Sequence, residues 1–345
     1  MTEMVSRAEG TLYGLAIGDA LGMPTQLLPR WQVAALFPSL DWFVAGPPEN
    51  DISRGQAAGT VTDDTAQAVI IAELLIAGHG HVDSHDFVQR LLAWARDAEA
   101  TGAEQLGPSS RRALEAIQRG LPLDDAGRRG DTNGGAMRIA PVGIATSAQP
   151  LERLVDRVAE ACRATHNTGV AIAGAAAVAT AVSAGVAGAS FADAAPLACH
   201  AAVLGQGRGH YAAGPDVGER IAWAIAVVAH LDVADALDTI ADLIGTGVAT
   251  QETVPAAFAL ASLWPHDPWH ACLQAARLGG DSDTIGAVTG AIVGACAGRA
   301  AFPEAAVAQV TRVNRLDVPG LVRQLMQVRQ EAAGADRGRR RVDIP

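Results

Sequence analysis

Lysine is absent from all 345 residues. That one absence removes a P-loop, a pyridoxal-phosphate Schiff base and a lysine nucleophile together. Cysteine is scarce and scattered. Cys162, Cys199, Cys272 and Cys296 form no Cys-x-x-Cys pair, which excludes zinc-ribbon and dithiol redox motifs. Their Ala/Val-rich surroundings suit small apolar core residues in a reducing, cytoplasmic compartment. Charge is sparse, at 18% of residues, and its balance is −11. No basic face is evident, so a nucleic-acid partner is not expected. The N-terminal MTEMVSRAEG lacks the charged-then-apolar order of a secretory signal. Alternating β-branched runs bounded by turns are also nearly missing, which argues against sheets.

Apolar residues are plentiful instead, at 49%, enough for a large buried core. Their spacing is helical almost throughout. It predicts helices over residues 7–21, 66–77, 84–97, 109–119, 151–165, 168–186, 191–203, 216–228, 233–243, 254–264, 267–278, 284–297 and 321–333. Many are built from Ala and Gly, which permits close approach of helix axes. An uncharged stretch over 167–192 is long enough to span a membrane. Its small side chains would drive insertion weakly, so it reads as a packed internal helix and no membrane partner is expected. No repeat of fixed period and no low-complexity linker interrupts the chain. The expectation is one compact all-α domain over residues 1–334, followed by a flexible basic tail over 335–345.

The unusual residues gather in polar, glycine-rich segments between helices. Thr62-Asp63-Asp64-Thr65 stands where a helix should begin. One such residue suffices to cap a helix. Two adjacent carboxylates flanked by hydroxyls exceed that need, and a divalent cation would relieve their repulsion. Gly279-Gly280-Asp281-Ser282-Asp283-Thr284 repeats the arrangement far along the chain. All these ligands are oxygens, which suits Mg²⁺, Mn²⁺ or Ca²⁺ and argues against zinc. Gly18-Asp19-Ala20-Leu21-Gly22 reads by itself as a helix C-terminus. Asn133-Gly134-Gly135-Ala136 is either a turn before a helix or a set of backbone amides for a phosphate, with Arg138 as an anion partner. His79, His81 and His85 fall in an inter-helix loop, and His266 and His270 flank Pro268-Trp269; all five read as structural. His166, in Thr165-His166-Asn167, is the histidine whose loop resembles a site.

Taken in order, Gly18-Asp19-Ala20-Leu21-Gly22, Thr62-Asp63-Asp64-Thr65, Asn133-Gly134-Gly135-Ala136-Met137-Arg138 with Pro141, Thr165-His166 and Gly280-Asp281-Ser282-Asp283-Thr284 resemble the ADP-ribosylglycohydrolase family, which includes the hydrolase that reactivates dinitrogen reductase. The resemblance runs over roughly residues 8–298. It implies a compact multi-helix fold with a binuclear cleft for two Mg²⁺ or Mn²⁺ ions. Thr62, Asp63, Asp64, Asp281, Asp283 and Thr284 would be the metal ligands. Asn133, Gly134 and Gly135 would meet a diphosphate or its equivalent, and Asp19, Gln26, Met137, Arg138 and His166 would help to form the substrate site. The implied reaction is hydrolysis at the ribose anomeric carbon of an ADP-ribosylated substrate. Two alternatives are an N- or O-ribosidase acting on a smaller nucleoside-like metabolite, and an inactive ADP-ribose-binding relative. One position departs from the pattern. Several members carry an acid shortly after the first motif, where this chain has Gln26. An amide cannot serve as a general base, so Asp64 or Asp283 is the expected residue for positioning or deprotonating the water.

Overall fold

The structure, a computed structural model, describes residues 2–100 and 106–342, the side chains of 99, 100 and 335–342 aside. It opens with α1 (Thr2–Gly22) and the short α2 (Arg30–Leu36). A loop leads to α3 (Asp63–Ala77) and α4 (Ser84–Ala100). Next come α5 (Pro108–Gln118), α6 (Leu123–Ala126), α7 (Gly134–Met137) and α8 (Ala140–Ala145). The centre of the chain forms α9 (Leu151–Cys162), α10 (Gly169–Val186) and α11 (Phe191–Gln206). α12 (Val217–Val228) and α13 (Val233–Thr239) precede a π-helical turn at Ile240–Ile244. α14 (Thr250–Leu263), α15 (Pro268–Leu278) and α16 (Ser282–Ala297) follow, and α17 (Glu304–Asn314) and α18 (Val318–Val342) close the fold. Among the described residues only two isolated β-bridges occur, Thr132 with Ala249 and Thr168 with His210, and no strand.

Helix starts follow capping chemistry. The side chains of Thr168, Ser190, Asp216, Asp232 and Asp267 each accept a backbone N–H from the first turn of the helix they precede, as N-cap residues do. Pro108 and Pro268 occupy first-turn positions, where no backbone donor is lost.

The core is organised around α10. Every residue of this helix is buried, and α7, α8, α9, α11, α14 and α16 surround it. It is long and apolar enough to cross a membrane by composition, yet it is wholly covered by protein. A second axis is the antiparallel pair α1 and α16. Gly10, Gly14 and Gly18 face Gly294, Gly290 and Gly286 at successive turns. A Cβ at Gly14 would lie 2.0 Å from the Gly290 carbonyl oxygen, and one at Gly18 2.0 Å from that of Gly286. Only hydrogen fits in this seam. Its end brings Gly22 against the backbone of Asp283, where a Cβ would come within 2.4 Å. Two motifs some 260 residues apart thereby become neighbours.

The helical spacing located the long helices, but several boundaries moved. α3 begins at Asp63 rather than 66 and α16 at Ser282 rather than 284, so the acidic motifs lie inside first turns. The expected helix over 233–243 is α13 plus the π-helical turn. α2, α6, α7, α8 and α17 were not foreseen. The first four are four to seven residues long, too short to show a period. The expected flexible tail falls beyond the residues whose side chains are described.

Candidate active site

The two acidic motifs begin their helices without capping them. Neither Thr62 nor Asp281, each in the N-cap position, makes a side-chain cap hydrogen bond. At α3 that duty passes to Asp19 of α1. Its carboxylate accepts the Thr62 N–H at 2.9 and 3.0 Å, the Thr65 N–H at 3.1 Å and the Thr65 hydroxyl. Thr62 Oγ1 is left to donate to Asp64 Oδ2 at 3.3 Å. At α16, Asp281 Oδ2 accepts the side-chain amide of Asn133, and Asp283 Oδ1 accepts the Thr284 N–H at 2.9 Å. The turn that delivers Asp281 needs two glycines, Gly279 and Gly280, at φ of +68° and +63°, a region other residues avoid.

Both motifs open onto one pocket of about 460 Å³. Asp63 and Asp64 line it from α3, and Asp281, Asp283 and Thr284 from α16. Gln26 enters from the segment after α1. Gly280 accepts the Leu27 N–H at 2.5 Å and donates its own N–H to the Leu28 carbonyl at 2.9 Å, pinning that segment. Asn133, Gly134, Met137 and His166 complete the expected lining. Thr132, Val248 and Leu27 also line it and were missed, as was a wall from the start of α5 that includes Ser110 and Arg111. Thr132 adjoins the glycine motif, which was a usable signal; Val248 carried none.

Four expected residues stand elsewhere. Thr62 and Gly135 are buried beside the pocket without lining it. Asp19 is wholly buried behind α3, its oxygens taken up by Thr62 and Thr65, so it supports the site instead of touching a ligand. Arg138 differs most from expectation. It is 0% exposed and therefore meets no anion in the pocket. Its guanidinium donates to Gln67 Oε1 (2.9 Å), Thr165 Oγ1 (2.8 Å) and the Ala161 carbonyl (3.3 Å), and lies 4.6 Å from the centroid of the Phe87 ring. Asn133 likewise spends its side-chain amide on Asp281 and on Thr253 Oγ1 at 2.7 Å.

Five carboxyl groups therefore share a poorly solvated volume. Burial pushes Asp63, Asp64 and Asp283 well above the usual carboxylate range, and their mutual repulsion adds to it. Burial also raises Asp19, to about 6, against the hydrogen bonds from Thr65 and Thr62. It raises Asp281 against its bond from Asn133. Asp64 Oδ1 is buried with no hydrogen-bond partner, an arrangement that costs stability unless a ligand supplies the missing contact. The donor set is oxygen only and fits a hard divalent cation. Among the described residues, however, no three His, Cys, Asp or Glu side chains close into a ready coordination group.

The frame is all-helical and aims two acidic helix starts into one cleft. The chain belongs to the ADP-ribosylglycohydrolase family, whose model matches residues 1–335. Escherichia coli (strain K12) YegU, an uncharacterized protein, is 36% identical over 330 residues, which is 94% of this chain and 98% of YegU. The ADP-ribosyl-[dinitrogen reductase] glycohydrolase of Rhodospirillum rubrum is 28% identical over 162 residues, 47% of this chain and 51% of that one. Among solved structures, an ADP-ribosylglycohydrolase-related protein complex superposes with a TM-score of 0.68 at 26% identity, covering 95% of this chain and all of the other.

Proposed function

We propose that the protein hydrolyses the bond at the anomeric carbon of an ADP-ribosyl group, in a reaction that needs Mg²⁺ or Mn²⁺. The observation that carries the proposal is the meeting of the two acidic motifs at one pocket, freed from capping, with Asp64 Oδ1 left unpartnered. Asp63, Asp64, Asp281, Asp283 and Thr284, which line the pocket, would hold the cations. A bound divalent pair supplies Lewis-acid stabilisation and orients oxygen ligands.

The chain's own residues do the rest. Asp64 or Asp283 takes the proton of the attacking water, both carboxylates lining the pocket where that water would sit. The water oxygen bonds to the anomeric carbon as the bond to the nitrogen or oxygen leaving group breaks, through a transition state of oxocarbenium character, and the leaving atom, which takes the bonding pair, receives the proton that the carboxylate removed from the water. Asn133 keeps Asp281 in place, and Asp19 does the same for the start of α3. Gln26 is a substrate-positioning amide. The four free cysteines accord with a reducing, cytoplasmic setting.

The burial of Arg138 bears on a second reading, a smaller ribosyl metabolite, because it leaves Arg111 as the arginine that lines the pocket and could meet a diphosphate. Product analysis by mass spectrometry across ADP-ribosyl and simple ribosyl compounds, with chelator and with added Mg²⁺ or Mn²⁺, tests both. Cleavage of ADP-ribosyl compounds only when cation is present supports the first. Cleavage of free ribosides alone supports the second, and full activity under chelation refutes the cation requirement.

A further inference from the structure

We infer that the pocket imidazole of His166 is locked in the tautomer that carries its proton on Nε2. The ring is then a hydrogen-bond donor to Thr132 Oγ1 at the pocket wall and not a base, with Arg138 and Thr165 as the residues that position it. The inference deepens the reading of this pocket as the ligand site and rests on it. The reasoning starts at Arg138, whose guanidinium can only donate. Its Nη2 lies 2.8 Å from Thr165 Oγ1, so that oxygen accepts. The hydroxyl has one hydrogen left, and His166 Nδ1 lies 2.8 Å away. Among the described residues no other acceptor for it is recorded. Nδ1 therefore accepts, and the ring proton sits on Nε2.

The other face of the ring agrees. Nε2 is 3.1 Å from Thr132 Oγ1, which can accept and which also lines the pocket. The ring rests directly on Gly134, where a Cβ would fall 2.7 Å from Cε1 and 2.8 Å from Nε2. Burial, reinforced by the charges of Arg138 and Arg112, pushes the imidazole well below its usual value, so a second proton is not taken up. The same guanidinium sets a second group. Gln67 Oε1 accepts from Arg138 at 2.9 Å, which turns Gln67 Nε2 to donate to Asp63 Oδ2 at 3.0 Å. One buried arginine thus orients both the imidazole and an acidic side chain of the pocket.

The test is nitrogen-15 NMR of the full chain labelled at histidine, with His166 assigned by its loss in His166→Gln. At neutral pH the wild-type ring should show a protonated Nε2 and an unprotonated, hydrogen-bonded Nδ1. Thr165→Val, which removes the hydroxyl, should abolish that signature. Thr165→Ser, which restores it, should recover it. A purely structural role for Thr165 would leave the tautomer unchanged in every variant that folds, as judged by circular dichroism. A protonated Nδ1, an imidazolium, or an unchanged signature in Thr165→Val would overturn the inference. If Thr165→Val does not fold, the wild-type spectrum still decides. Calorimetry with ADP-ribose is run alongside. Absence of binding there counts against the ADP-ribosyl reading, whereas the tautomer is read from the ligand-free protein.

Discussion

Replacing Gly18 by alanine probes the seam on which the whole site depends. The added Cβ would stand 2.0 Å from the Gly286 carbonyl oxygen and 2.2 Å from its carbon, both backbone atoms that cannot swing aside. Contacts of this kind end near 3.0 Å, so α1 and α16 must part by roughly 1 Å in a close-packed core. Overpacking of this type costs about 1–3 kcal/mol. Alanine returns up to about 1 kcal/mol through its better helix propensity. A net loss of about 1–2 kcal/mol should lower Tm by roughly 1–3 °C in a chain of 345 residues, because the unfolding entropy grows with length. Circular dichroism melting measures it, with Gly334→Ala as control, because a Cβ there meets nothing within 4 Å. Calorimetric titration with Mn²⁺ on the same variant should also weaken, since the seam sets the spacing between Asp19 and Asp283. A Gly18→Ala protein as stable as the control, with unchanged Mn²⁺ affinity, would refute the argument.

Other expectations follow from the same structure. Asp63→Ala and Asp281→Ala should each reduce Mn²⁺ affinity in calorimetry and abolish turnover, while the helical spectrum is retained; tight binding in either variant would remove that residue from the ligand set. Gln26→Ala should cost on the order of tenfold in kcat/KM, the value of one hydrogen bond of about 1–1.5 kcal/mol, whereas Asp64→Asn or Asp283→Asn should cost far more. Gln26→Glu should shift substrate preference in a product panel. Burial pushes the Cys162 and Cys296 thiols up to about 11, above an unfolded value of about 8.5. Their contribution to stability is therefore complete below the unfolded value and is lost as pH rises through about 11. Tm should decline across that alkaline window, and less steeply in Cys162→Ala.

The sequence was informative where chemistry or period repeated. Thirteen runs of helical spacing found the long helices, and paired aspartates before such runs marked the pocket. Position within a turn was harder. Asp63 was expected just outside α3 and is its first residue, because Asp19, from a different helix, supplies the cap. A cap borrowed across 43 residues leaves no local trace. Arg138 illustrates the other limit. Lying next to the glycine motif placed it near the pocket, but only the tertiary packing of α7 brings its guanidinium to Gln67 of α3 and to Thr165. The glycines of α1 and α16 were visible as composition. Their register, Gly14 on Gly290 and Gly18 on Gly286, belongs to the pair and not to either helix.

The pairing of α1 with α16 also orders events during synthesis. A chain emerging from the ribosome presents α1 almost at once, with a glycine face that has no partner. Its complement, residues 282–297, arrives only some 260 residues later. Domains generally settle as units, and contacts between distant segments delay folding. Until α16 emerges, Asp63 and Asp64 have no counterpart across the cleft, so no shorter nascent chain can assemble the acidic centre. Hydrolytic competence is confined to chains that include α16, and a series of nascent chains with and without that helix exposed would display it as a step rather than a slope.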